Sequence, residues 1–133
     1  MDEVTVRVEA DVNPTEDEAK VKVAVANIIG DAPAVTRPSH VGSVLTAETQ
    51  GRAALENLRN LLRRDRVRSA ARKVLFKSLR GRTIAFFLNK QVAFAGHVSF
   101  SQETGESPLG PIKVVIECEN PGELIDWLTP AAP

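Results

Sequence analysis

Between Arg52 and Arg82 the chain carries 11 basic side chains against two acidic ones, Glu56 and Asp65, a local balance of +9. Arg52, Arg59, Arg63 and Arg64 fall along the polar face of one helical stretch, and Arg68, Arg72, Lys73 and Lys77 along that of a second. A row of cations like this neutralises phosphates and releases their counterions, which supplies most sequence-independent affinity for nucleic acid. Phe76, one helical turn past Arg72, lies off the apolar stripe, where an aromatic ring can stack on a base. The competing assignment is a solvated face whose arginines pair with acidic residues of the same chain or a partner subunit, with Phe76 at a dimer or core contact.

Other reactive residue types are scattered. His40 and His97 are the only histidines and have no metal-site spacing. Cys118 alternates with aliphatic residues and reads as a small core hydrophobe. Glu16, Asp17 and Glu18 sit where the dipole of a starting helix favours negative charge. No phosphate-binding loop, dinucleotide fingerprint or nucleophile elbow occurs, so the expectation is a non-catalytic protein without metal or cofactor. Two segments read either as turn or packing elements or as contact loops. Asn89, Lys90 and Gln91 form a polar tip, and Ser107, Pro108, Leu109 and Gly110 belong to a loop over Glu106 to Pro111 stiffened by Pro108 and Pro111.

The elements that must position these groups follow from periodicity. Residues 4–12 alternate Val, Val, Val, Ala, Val with polar residues, the period of a strand with one buried face. Asn13-Pro14 breaks it, and Thr15 with Glu18 forms a capping box that opens a helix over residues 15–29, stopped by Gly30. Residues 31–40 read as a loop and 41–47 as a short strand. Ala54, Leu55, Leu58, Leu61 and Leu62 make one helical stripe; Val67, Ala70, Ala71, Val74, Leu75 and Leu79 make another, out of phase with the first. Two helices with a break at Asp65 follow, Asp65 capping the second. Residues 83–88 and 92–100 read as a hairpin turning at 89–91, with Val92, Phe94, Val98 and Phe100 on one face. Residues 112–118 give another strand, and Asn120-Pro121 starts a short last helix. The order is β-α-β-α-α-β-β-β-α, an α+β fold with an antiparallel-rich sheet and helices packed on one face.

The chain has 133 residues and no formal net charge, which predicts a single domain over residues 1–133. The acidic start Met1-Asp2-Glu3 lacks the charged and apolar regions of a signal peptide, and no apolar run approaches the ~20 residues of a membrane span. One cysteine suits a reducing compartment. These features predict a cytoplasmic protein away from membranes.

Three stretches carry a resemblance together. They are Asn13-Pro14-Thr15-Glu16-Asp17 with Lys20-Val21 and Ala26-Asn27-Ile28; Phe87-Leu88-Asn89-Lys90-Gln91-Val92-Ala93-Phe94 with Gly96; and Glu106-Ser107-Pro108-Leu109-Gly110-Pro111-Ile112 followed by Ile125-Asp126-Trp127-Leu128. In this order they resemble an uncharacterised archaeal family of about this length, labelled RNA-binding and sometimes linked to the RNA-degrading exosome. The resemblance implies a fold similar to the ribosomal protein that binds five-S RNA, and a dimer. With the basic face, it predicts a homodimer that contacts RNA or an RNA-processing complex. The alternative is a structural or protein-interaction dimer with no nucleic-acid role.

Overall fold

The valine alternation near the N-terminus becomes strand β1 (Thr5–Val12), whose residues pass from exposed to buried in turn along its length. The computed structural model describes residues 3–102 and 109–131. Strand β1 lies inside an antiparallel sheet, with β3 (Ser43–Gln50) on one side and β7 (Pro111–Glu117) on the other. Outside β3 runs β2 (Ala34–Pro38), and outside β7 runs β5 (Thr83–Asn89). Two short strands, β4 (Leu79–Arg80) and β6 (Phe100–Ser101), pair with the start and end of β5.

Helices α1 (Glu18–Ile29), α2 (Ala53–Arg64), α3 (Arg68–Lys77), α4 (Lys90–Phe94) and α5 (Pro121–Leu128) complete the α+β fold. Val8, Val114 and Phe86 stand in one row across β1, β7 and β5, and all are buried. They share a core with Ile28 of α1, Leu58 of α2, Leu75 of α3 and Ile125 of α5. The alternate residues Arg7, Glu9, Lys113 and Glu117 remain exposed, so the sheet has one covered and one open face. Among the described residues no helix is long and apolar enough to cross a membrane.

The helical periodicities of α2 and α3 fall where the two stripes place them, with three exceptions in the second: Val67 is the cap residue before α3, Ala70 is exposed, and Leu79 has left the helix for β4, where it pairs with Ile84. The break between them passes through Arg66, whose φ is 58°. Four local expectations are corrected. Thr15 does not cap α1. Asp17 does, its carboxylate accepting from the Ala19 N–H at 2.9 Å, because residues 13–16 are used in a turn closed by the Glu16 N–H on the Asn13 carbonyl. Residues 34–38, expected as loop, form β2; this edge strand is exposed along most of its length and so shows no alternation. It turns into β3 through Gly42, where φ is +76° and a Cβ would collide with the Val12 carbonyl.

The expected hairpin at 89–91 is instead the start of a helix. Asn89 accepts from the Val92 N–H at 2.9 Å and caps α4, and Gly96 at φ +87° ends that turn. Only Phe100 and Ser101 return to β5, so Val92, Phe94, Val98 and Phe100 do not share a strand face. Finally, Asp65 does not cap α3. The cap position is Val67, and the Asp65 carboxylate accepts from the Val98 N–H at 2.9 Å.

Candidate nucleic-acid interface

Helices α2 and α3 bury their aliphatic stripes against the core and leave their cations outside. Those cations divide by what they touch. Arg52 and Arg59 lie over the Trp127 ring of α5 at 5.6 and 5.1 Å from its centroid, and the Arg59 Nε–H donates to the Trp127 carbonyl. Arg72 donates to the Thr129 carbonyl at 3.0 Å, pairs with Asp126 at 2.7 Å and lies 4.9 Å over the Phe76 ring. Arg64 donates to the Gly96 carbonyl and pairs with Asp65. These four arginines tie α2 and α3 to α5 and to the turn after α4. Trp127, which anchors two of them, is not signalled by the basic pattern, because its ring lies on α5, more than 60 residues along the chain.

Arg63, Arg68, Lys73 and Lys77, together with Arg66, are exposed, and their side chains make no ion pair or hydrogen bond among the described residues. These five unengaged cations are the part of the row able to meet phosphate. Phe76 is 40% exposed, with one face occupied by Arg72.

The two expected contact loops occupy a different kind of site. Lys90 is a correction: its side chain is 4% exposed, and its ammonium donates to the Asp11 carbonyl at 2.7 Å, the Leu109 carbonyl at 2.7 Å and Glu16 Oε1 at 3.0 Å. Asn13 joins the same node, its amide donating to Glu16 Oε1 at 2.6 Å and to the Leu109 carbonyl at 3.1 Å. Asn89 caps α4, Gln91 is exposed, and Leu109 and Gly110 are half-buried; Ser107 and Pro108 lie outside the described residues. The three stretches that carry the resemblance therefore meet around one buried lysine. Burial opposes the charge on Glu16, but the Asn13 N–H, Lys90 and the Asn13 amide outweigh it and hold the carboxyl below its ordinary value.

Asp65 behaves similarly. Its desolvation is outweighed by bonds from Val98, His97 and Arg64, so its carboxyl also titrates lower than usual. His97 lies in the turn after α4 with Nδ1 3.2 Å from Asp65. Cys118 is buried in the core, where desolvation pushes its thiol up. Among the described residues no three His, Cys, Asp or Glu side chains come together as a metal site.

A family model described as RNA binding matches residues 5–118, which include β1, both basic helices and the Lys90 node. The chain belongs to this RNA-binding family. Members similar to it include a UPF0201 protein from Sulfurisphaera tokodaii, 45% identical over 123 residues that cover 92% of this chain and 85% of the relative. Another UPF0201 protein, from Sulfolobus acidocaldarius, is 46% identical with the same coverage of each chain. The fold extends to solved structures. A UPF0201 protein from Methanococcus jannaschii superposes with a TM-score of 0.86 at 31% identity, covering 97% of this chain and 95% of its own. A DUF54 protein from Methanothermobacter thermautotrophicus, at 18% identity, shares the fold with a TM-score of 0.65, covering 96% of this chain and 99% of its own.

Proposed function

We propose that the protein is a non-catalytic cytoplasmic homodimer that binds RNA through the outer side of α2 and α3, alone or within an RNA-processing complex. The observation that carries this reading is the set of unengaged cations Arg63, Arg66, Arg68, Lys73 and Lys77 on two adjacent helices and the break between them, within the span matched by the RNA-binding family. Exposed arginine and lysine with no internal partner lose little on meeting phosphate, whereas Arg52, Arg59 and Arg72 would first have to leave α5. The twofold contact falls on the open sheet face, where Val115 and Ala85 are half-buried and paired in register.

The test replaces Arg68 and Lys73 together by Ala. Filter binding should weaken to a similar extent for unrelated RNA sequences, and the salt slope should shallow by roughly 0.7 per lost contact on single strands. Stability should change little, because these side chains have no partner to lose among the described residues. The engagement of Arg72 with Asp126 supports a second reading, a protein-interaction dimer whose basic residues serve α5. Wild-type protein that retains no RNA at low salt would leave that second reading in place of the first.

A further inference from the structure

The C-terminal turn of α1 and one face of α2 frame a polar groove, closed at one end by the turn after α4. Ala26, Asn27, Asn57, Asn60, Arg63 and Arg64 line it, and its volume of about 490 Å³ is that of a small-molecule site. Two of its asparagines have committed their donors. The Asn27 amide donates to the Ala93 and Phe94 carbonyls at 2.8 and 3.3 Å, which satisfies the end of α4. The Asn57 amide donates to the Asn27 and Ile28 carbonyls at 2.7 and 2.9 Å, which does the same for α1. A carboxamide has two donor hydrogens. With both committed, Asn27 and Asn57 are held in place and offer a ligand only their oxygens, neither of which accepts a bond among the described residues. Asn60 and Arg63 have no side-chain partner at all among the described residues.

The groove thus combines two fixed acceptors, one free carboxamide and one free guanidinium. Its complement is a ligand with N–H donors at one end and negative charge at the other. The last turn of α1 carries the negative end of its helix dipole, which favours the donor end there and sends the anion toward Arg63. We propose that this groove is a base-reading subsite for unpaired RNA, selecting adenine or cytosine, whose exocyclic amine stands beside a ring-nitrogen acceptor, over uracil. The amine meets the Asn27 and Asn57 oxygens, Asn60 bonds the neighbouring ring position, and Arg63 holds the adjoining phosphate. Such base edges are open to a protein in single strands and loops. The inference rests on the RNA-binding reading and adds to it a preference that a row of phosphate contacts does not supply.

Fluorescence anisotropy with labelled oligo(rA), oligo(rC) and oligo(rU) of equal length tests it. Oligo(rA) and oligo(rC) should bind about fivefold or more tightly than oligo(rU), the discrimination of one well-made base contact. Asn60→Leu, an exposed change that places an apolar side chain in the groove, should collapse that difference and leave the salt slope unchanged. Arg63→Ala should weaken all three oligomers. Equal, salt-dependent affinity for the three overturns the base-reading subsite while the phosphate-binding reading stands. A preference that survives Asn60→Leu also overturns it, since the selection then lies elsewhere. Absence of binding to any oligomer overturns both.

Discussion

Lys90 illustrates how a single side chain acquires its role from residues far away in the chain. Its acceptors on Glu16 and Asp11 are 74 and 79 positions earlier, and Leu109 is 19 later. Nothing in Asn89-Lys90-Gln91 itself distinguishes a solvated tip from a buried clamp, which is why the sequence points to a contact loop. Removing one partner of a buried ion pair strands the other, at a cost of about 3–5 kcal/mol. Lys90→Met should therefore lower stability by an amount in that range, read as a shift of the urea midpoint. The pH dependence follows from Glu16. Its folded pKa lies below the ordinary 4.5, so its contribution is fully present above that value and is lost as pH falls through the lower folded one. Glu16→Gln should flatten the acid limb of the stability profile; an unchanged limb would assign the acid sensitivity to Asp65, which is shifted in the same direction.

At the scale of elements, local signals succeed where a segment is amphipathic and mislead where several residues compete for one role. The stripes of α2 and α3 were legible because five and more apolar residues recur at helical spacing. The N-terminus of α1 was legible only to within two residues, since Thr15 and Asp17 are both capping types. Asp17→Ala should cost about 0.5–2 kcal/mol, whereas Thr15→Ala should leave the denaturation midpoint nearly unchanged. Equal effects of the two changes would contradict the observed cap. Residues 92–100 mimic a strand because Val92, Phe94, Val98 and Phe100 all fall on even-numbered positions, with Gly96 between the two pairs, but the cap supplied by Asn89 turns the first five residues after it into a helix. The committed amides of Asn27 and Asn57 were illegible for a different reason: both serve helix ends that only the tertiary fold brings together.

Across the whole molecule, a neutral total conceals two surfaces of different character. The helical side concentrates cations, a feature already plain in the count of charges. The open sheet face mixes Glu9, Asp11, Glu48 and Glu117 with Arg7, Arg37 and Lys113 around half-buried Val115, Ala85 and Phe87. Arg7 reaches both Glu48 and Glu117, at 3.9 and 3.6 Å, so this face is close to balanced. Two copies can approach across it without the repulsion that the basic helices would impose. Val115→Glu should shift the protein toward monomer in light scattering while each protomer keeps its affinity for a short RNA. A wild type that scatters as a monomer up to millimolar concentration would overturn the proposed dimer.

The buried ammonium also has a consequence for covalent chemistry. An amine attacks an acylating reagent through its nitrogen lone pair, and at Lys90 all three N–H groups are engaged inside the protein. The other five lysines, Lys20, Lys22, Lys73, Lys77 and Lys113, are exposed. In native protein treated with an amine-reactive ester, mass spectrometry should find these five modified and Lys90 unmodified until the node around it opens. The delayed labelling of that one residue would then serve as a clock for local opening, timing how often α4 and the segments before α1 and β7 separate in an otherwise folded chain.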